Sequence, residues 1–357
     1  MSAARGPVTP DPGQLEATDP PIGTGRLESV ALGPFELDDG PLLPGLTIAY
    51  RHDGPGPADA PQALIVHALT GSADAAGDWW EPLIGPGRAF DTDRIGVLSA
   101  NLLGGRYGTT GPISVDPVTR RPYAAAFPRV TTRDQARAQW LLLDALGIER
   151  IHLVVGGSLG GMVALEVALA RPEAVREVMP IAAPAATGAM AVAWNHLQLQ
   201  LIERLGLDGL ALARQLAMTT YRSETDFDER FGRDFGADGR ASIVSYLDHQ
   251  GRKLIDRFDP GTYRVLTAAM DHHDIGVGRG GVGGALARFA AAGTRVTGVG
   301  IEGDLLYGPR QVHALVDAAS GAAVDARYRE IRSTKGHDAF LVEWDQLTAL
   351  IDEALGS

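Results

Sequence analysis

Short apolar runs alternate along this chain with longer segments in which apolar residues recur every three or four positions. The short runs are typical of buried strands, and the longer spacing is typical of helices. The runs predict strands at 63–66, 95–100, 151–155, 175–181, 295–301 and 326–331. Helical spacing follows at 134–146, 163–170 and 344–355. Buried strands that alternate with helices indicate a mostly parallel sheet with helices on both faces.

Three regions of the chain depart from this alternation. Residues 1–25 are rich in Pro, Gly and Asp without periodicity, which predicts a disordered or loosely attached arm. Residues 29–37 and 46–51 alternate polar and apolar positions and predict an opening antiparallel pair. Helical spacing without a convincing strand marks the segments 189–205, 210–220, 243–258 and 263–270. We therefore predict a core of residues 26–184 and 271–357, interrupted by a helical lid at 185–270.

Composition narrows the classes of function. A chain of 357 residues that is 45% hydrophobic can form one large domain with an insertion. Its net charge of -12 argues against nucleic acid or an anionic membrane as a partner. With no cysteine, thiolate catalysis and cysteine-ligated metals are excluded. Apolar runs stay short of membrane-spanning length and the N-terminus lacks a secretory pattern, so we expect a cytoplasmic protein.

The segment Gly-Gly-Ser-Leu-Gly-Gly-Met at 156–162 lies between a predicted strand and a predicted helix. A G-x-S-x-G sequence in this context is typical of the nucleophile elbow of α/β hydrolases. The sharp turn strains the serine and needs small residues on both sides, as Gly156 and Gly160 provide. The alternative is a glycine-rich turn that only lets the helix pack on the strand. We predict that Ser158 is a catalytic nucleophile in an α/β-hydrolase fold.

A serine nucleophile needs a base and an acid, which follow it in the chain in this fold. Asp304 and His337 lie in the loops after the last two predicted strands. Glu302 competes with Asp304 but lies nearer to its strand. We predict that His337 accepts the serine proton and that Asp304 orients its imidazole.

The reaction also needs two backbone N–H donors for the oxyanion of the tetrahedral intermediate. The residue after the nucleophile, Leu159, supplies one of them in this fold. The loop after the strand at 63–66 supplies the other, and we assign it to Leu69.

We expect neither a metal nor a resident cofactor. The sequence His272-His273-Asp274 resembles a metal cluster, but a fourth ligand at suitable spacing is lacking. The chemistry predicted for Ser158 is carried by side chains and backbone donors.

From about residue 30 to its end, the chain resembles the homoserine O-acetyltransferase family. The elbow alone would be shared with esterases and lipases, whereas the other matching segments are more specific. The matching segments include HALTGSADA (67–75), DTDR (91–94), NLLGG (101–105), GTTGP (108–112), AMDHHDIGVGRGG (269–281) and GHDAFLVE (336–343).

This resemblance implies an α/β-hydrolase core with a helical lid and a homodimer formed through the lids. It implies acyl transfer from acetyl-CoA, as a co-substrate, to the hydroxyl of L-homoserine through an acyl-serine, in methionine biosynthesis. Asp338 matches the carboxylate expected to hold the acceptor's ammonium group. Arg222 matches the arginine expected to pair with the acceptor's carboxylate.

Other activities remain open at this point. Serine could replace homoserine as acceptor, and a carboxylesterase could use the same triad with water. Succinyl-CoA could replace acetyl-CoA, because Arg106 stands where many family members have a small residue or Cys, and could pair with a succinyl carboxylate. A hydrolase-fold binding protein that kept the elbow for packing is the non-enzymatic alternative.

Overall fold

The computed structural model describes residues 20–356, which form an eight-stranded sheet in the order β1-β2-β6-β3-β7-β8-β9-β10. The β1–β2 and β2–β6 pairs are antiparallel and all others are parallel. The strands are β1 (Leu27–Glu36), β2 (Leu42–Asp53), β3 (Gln62–Val66), β6 (Gly96–Ala100), β7 (Ile151–Gly157), β8 (Val175–Ile181), β9 (Arg295–Ile301) and β10 (Ala326–Ile331). Two short strands, β4 (Ile84–Gly85) and β5 (Phe90–Asp91), pair separately.

The helices divide into a core set and an inserted set. The core helices are α1 (Thr132–Ala145), α2 (Leu159–Ala170), α8 (Gly281–Ala292), α9 (Pro309–Gly321) and α10 (Trp344–Leu355). The inserted helices are α3 (Ala189–Leu205), α4 (Leu207–Tyr221), α5 (Glu224–Phe231), α6 (Ser242–Ile255) and α7 (Pro260–Asp271). We refer to the inserted set as the lid.

Alternate side chains of the central strands belong to two different cores. Leu64 and Val66 of β3 lie in the cluster that contains α1 and α2. Ala63 and Ile65 of the same strand lie in the cluster that contains Leu347 of α10. Such burial on both faces explains why these strands are continuously apolar, and the predicted α/β architecture is confirmed.

The two ends of the lid insertion lie side by side. Ala186 and Asp274 form an isolated β-bridge. The Thr187 N–H donates to the His273 carbonyl at 2.9 Å, and the Ile275 N–H donates to the Ala185 carbonyl at 3.0 Å. The chain therefore leaves the sheet and returns to it through one paired stem.

The predicted arm needs a correction where the structure describes it. Its residues 1–19 lie outside the described part. Residues 20–25 are attached to β2, because the Tyr50 hydroxyl donates to the Pro21 carbonyl and the Gly25 N–H donates to the His52 carbonyl. These hydrogen bonds tie a segment without periodicity to the edge of the core.

Several elements differ from the sequence prediction. The structure adds α5, α8 and α9, which the sequence did not predict. Glycines at three of the first four positions of α8 weaken its helical signal. Within residues 20–356, every helix is too short or too polar to cross a membrane.

Candidate active site

Ser158 lies at the point where β7 ends and α2 begins. Its φ of 58° and ψ of -125° place it in a backbone region that residues other than glycine rarely adopt. The residue is 5% exposed, and Leu159 behind it is fully buried as the first residue of α2. This geometry is that of a strained strand-to-helix turn with a serine at its tip.

Gly160 lets α2 approach β3 closely. A Cβ atom at this position would stand 2.1 Å from the Val66 carbonyl oxygen and 2.9 Å from the His67 carbonyl oxygen. The elbow helix and the loop after β3 are therefore held together by a backbone contact that only glycine permits.

We expect Gly160→Ala to lower the free energy of unfolding by about 3 kcal/mol, because backbone atoms cannot move aside as a flexible side chain can. Chemical denaturation would measure the loss. Gly283→Ala in α8 is the matched control, since a Cβ there meets nothing within 4 Å. Equal stability of the two variants would contradict the prediction.

The structure places Asp304 and His337 in direct contact. His337 Nδ1 lies 2.7 Å from Asp304 Oδ2 in a buried hydrogen bond. The other carboxylate oxygen accepts the backbone N–H groups of Leu306 at 2.8 Å and Tyr307 at 3.0 Å. Asp304 is thus fixed at both oxygens, while its competitor Glu302 is exposed. With Nδ1 donating to Asp304, Nε2 is the imidazole nitrogen left to accept a proton.

The charge balance at His337 favours its protonated form. Burial alone would lower its pKa, but the nearby Asp304 carboxylate outweighs burial, with help from Asp338, and the pKa is raised above its ordinary value. Aromatic rings surround the imidazole, with the centroids of Tyr221, Tyr307 and Phe340 each 5.7 Å away. The Asp304 carboxylate therefore stabilises a protonated His337 among these aromatic rings.

Phe340 connects His337 to the elbow. A Cβ atom on Gly157, the residue before Ser158, would stand 2.5 Å from the Phe340 ring. The same ring packs edge-on against the imidazole of His337. The loop after β10 therefore lies directly against the turn that carries Ser158.

The loop after β3 carries Leu69 to the same edge of the sheet, since Val66 at the end of β3 pairs with Gly156 of β7. The Gly71 N–H donates to the Ala68 carbonyl at 2.9 Å, so Leu69 and Thr70 are the central residues of a tight turn. Leu69 is 6% exposed. The backbone N–H groups assigned to the oxyanion thus come from neighbouring strand ends.

His67 holds this turn, and sequence reasoning gave it no role. The Leu102 N–H donates to its Nε2 at 3.1 Å, so its proton resides on Nδ1, which lies 2.8 Å from the Ala68 carbonyl. Burial lowers the pKa of His67 to about 4, which keeps this neutral tautomer. Because the Ala68 carbonyl and the Leu69 N–H belong to one trans peptide, His67 turns that N–H the opposite way. Its place at the head of the 67–75 segment was the available signal.

The two residues matched to the acceptor lie together beside the triad. Arg222 Nε stands 3.1 Å from Asp338 Oδ2, an ion-pair distance without the alignment of a hydrogen bond. Both side chains are partly exposed, at 18% and 14%. Arg222 follows α4 in the lid, whereas Asp338 follows His337 in the core. A cation and an anion therefore face the site from opposite sides of the lid boundary.

A buried carboxylate holds the lid at this place. Asp226 of α5 is fully buried, and its oxygens lie 2.7 Å from Lys335 Nζ and 3.6 Å from an Arg222 nitrogen. The Ser223 hydroxyl also donates to the Thr334 carbonyl. Arg222 is thus positioned by contacts between the lid and the loop that carries His337.

The remaining candidates have ordinary structural partners. His273 is buried, with its ring nitrogens 3.1 Å from Thr132 Oγ1 and 3.2 Å from the Pro184 carbonyl. Residues 20–356 contain no group of three or more side chains placed to hold a metal. Arg106 lies with its guanidinium 6.0 Å from the ring centroid of the exposed Tyr107.

Comparisons with known proteins identify the family of this chain. Residues 64–235 match the alpha/beta hydrolase fold family. The chain is 42% identical to the homoserine O-acetyltransferase of Moorella thermoacetica, over 90% of this chain and 93% of that protein. It is 43% identical to that of Thermobifida fusca, over 99% of this chain and 100% of the other.

A solved structure from the same family is similar to this chain. The homoserine O-acetyltransferase of Staphylococcus aureus superposes with a TM-score of 0.80 at 30% identity, over 93% of this chain and 95% of that one. Sequence and structure agree over nearly the full length, and the chain belongs to the homoserine O-acetyltransferase family of the α/β-hydrolase fold.

Proposed function

We propose that this protein transfers an acetyl group from acetyl-CoA to the hydroxyl of L-homoserine through an acetyl-Ser158 intermediate. The Arg222–Asp338 pair beside His337 carries the proposal. An amino acid brings a carboxylate for the arginine and an ammonium for the aspartate, whereas water as acceptor needs neither. The curated relatives named for this activity support the same conclusion.

In the first half-reaction, the Ser158 hydroxyl attacks the thioester carbonyl and His337 Nε2 takes its proton. The oxyanion is stabilised by the N–H groups of Leu69 and Leu159. When the C–S bond breaks, His337 returns the proton to the CoA sulfur, so CoA leaves as a neutral thiol. Asp304 stabilises the imidazolium that exists in between.

In the second half-reaction, the homoserine hydroxyl attacks the acetyl-Ser158 carbonyl. His337 takes the proton of that hydroxyl and returns it to the Ser158 oxygen as the ester bond breaks. The products are O-acetyl-L-homoserine and free enzyme. The scheme uses acetyl-CoA as a co-substrate and requires no resident cofactor.

Release of CoA from acetyl-CoA, with and without L-homoserine, tests the function. Because the chain contains no cysteine, a thiol-reactive chromogen detects CoA without background from the protein. We expect release that depends on homoserine and is matched by O-acetylhomoserine. Equal release without homoserine would instead identify a hydrolase. A higher kcat/KM with L-serine or succinyl-CoA would identify the alternative acceptor or donor.

We expect Asp338→Asn to lower kcat/KM for homoserine by about 10- to 100-fold, because a charged contact to the ammonium contributes about 1.5–3 kcal/mol. Acetylation of Ser158 should change little. Stopped-flow measurement of the two half-reactions, at a pH where His337 is neutral in both proteins, separates these effects. Exposed Asp317→Asn is the control. Equal losses in both half-reactions would assign Asp338 to the triad.

We also propose a cytoplasmic homodimer formed through the lids. Intracellular acetyl-CoA supports the location, and the activated hydroxyl of the product suits the displacement chemistry of methionine biosynthesis. Exposed apolar side chains on α3 and α4 support the interface; they are Met190, Leu197, Leu205, Leu207 and Leu212. Light scattering of Leu197→Asp against the parent chain tests it.

A further inference from the structure

Arg257, in the link between α6 and α7, reaches from the lid to the turn that carries Leu69. One of its terminal nitrogens donates to the Thr70 carbonyl at 2.7 Å. The other lies 3.4 Å from the Thr70 hydroxyl. The lid therefore contacts the predicted oxyanion turn directly, at the residue after the donor.

The turn that carries Leu69 is held at both ends. On the strand side, His67 and the Gly71 N–H bind the Ala68 carbonyl. On the far side, Arg257 binds the Thr70 carbonyl. The Thr70 carbonyl shares its peptide with the Gly71 N–H, which donates to the Ala68 carbonyl. The Ala68 carbonyl in turn shares its peptide with the Leu69 N–H, so the contact of Arg257 bears on the direction of that N–H through one hydrogen bond.

Arg257 is itself firmly placed. Its carbonyl accepts a hydrogen bond from the Tyr107 hydroxyl at 2.9 Å. The next residue, Phe258, is 2% exposed in the core. Asp259 then caps α7 by accepting the Thr262 N–H at 2.8 Å. The guanidinium thus extends from a fixed backbone, which is the requirement for positioning another group.

The partners of this arginine are neutral. Within residues 20–356, its guanidinium has no carboxylate at ion-pair distance, and its contacts are the oxygens of Thr70 and Tyr107. The guanidinium of Arg257 donates to the carbonyl of a tight turn beside Ser158.

We propose that Arg257 is a positioning residue that ties the lid to the oxyanion turn and holds the Leu69 N–H towards the tetrahedral intermediate. The inference rests on the proposed function only through the assignment of Leu69 as a donor. It gives the lid a part in the acylation step, in addition to its contact with the acceptor through Arg222. It also predicts that variants of Arg257 lose stabilisation of the transition state but keep their affinity for acetyl-CoA.

Arg257→Gln and Arg257→Lys test the inference, with exposed Arg252→Gln in α6 as the matched control. Three quantities are measured: the rate of Ser158 acetylation by p-nitrophenyl acetate, the inhibition constant of trifluoroacetone, and KM for acetyl-CoA. The ketone forms a tetrahedral adduct with a serine and so reports the oxyanion site without CoA or homoserine.

We expect Arg257→Gln to slow acetylation by about 10- to 100-fold, less than the 10²–10³ lost when a whole donor is removed. Trifluoroacetone should bind more weakly by a similar factor, and KM for acetyl-CoA should stay within about threefold. Arg257→Lys should recover part of the loss, because its ammonium can still donate to the Thr70 carbonyl.

Unchanged ketone inhibition in Arg257→Gln would overturn the inference. So would a loss confined to KM for acetyl-CoA, which would make Arg257 a contact for the CoA phosphates. If the glutamine variant fails to fold, Arg257→Met decides, because it keeps the aliphatic stem and removes the donors, and parent-like acetylation and inhibition then overturn the inference. Failure of the proposed function would appear separately, as absent homoserine acetylation by a parent enzyme that still binds the ketone.

Discussion

Ser158→Ala should lower acetyl transfer by about 10⁴- to 10⁶-fold, because the nucleophile and base act as a unit and the remaining groups cannot form the covalent intermediate. The fold should remain intact, since the hydroxyl sits at the tip of the elbow and the strained φ of 58° is kept by alanine. Mass spectrometry after incubation with acetyl-CoA alone should show one acetyl group on Ser158 of the parent chain and none on the variant.

Two controls sharpen this experiment. The exposed Ser320→Ala in α9 should keep full activity and the adduct. Ser158→Gly should be as inactive as the alanine variant but more stable by about 1 kcal/mol, because glycine adopts this backbone conformation without strain. An acetyl adduct on another residue, or substantial turnover by the alanine variant, would rule out the acyl-serine scheme.

Asp304→Asn should lower kcat for acylation by about 10³- to 10⁴-fold, because an amide facing Nδ1 favours the wrong imidazole tautomer. The pH profile should change as well. His337 must be neutral to act as a base, so acylation rises as pH passes its raised pKa. Without the carboxylate, burial lowers that pKa, and the acid limb should move to lower pH.

Rates of acylation between pH 4 and 9 measure both effects, and Glu302→Gln is the matched control because Glu302 is exposed in the same loop. The control should keep the acylation rate of the parent chain and the acid limb of its pH profile. An acid limb that stays in place in Asp304→Asn would show that another group sets the pKa of the base.

Much of the core could be predicted because buried parallel strands have a simple sequence pattern. The strands at 175–181, 295–301 and 326–331 have the predicted bounds, as do the helices at 189–205 and 344–355. α5 was missed because it is short and mostly polar, and its buried Asp226 reads as a surface residue without its partners.

The site was only partly accessible from the sequence. Ser158 stood out as a candidate because the elbow is a local pattern, and chain order pointed to Asp304 and His337, which the structure brings into contact. Contacts between distant segments leave no such pattern. The hydrogen bond of Arg257 to Thr70 spans 187 positions, and only the folded chain shows it.

The paired stem at Ala186 and Asp274 has a consequence for how such enzymes diversify. Because the two ends meet, the lid can be exchanged as a cassette with little extra cost in loop-closure entropy. The sheet would keep Ser158, Asp304 and His337 throughout. A transplanted cassette must still bring one arginine to Asp338 and another to Thr70, so recombination between relatives would favour lids that preserve these two contacts while the rest of the acceptor surface varies.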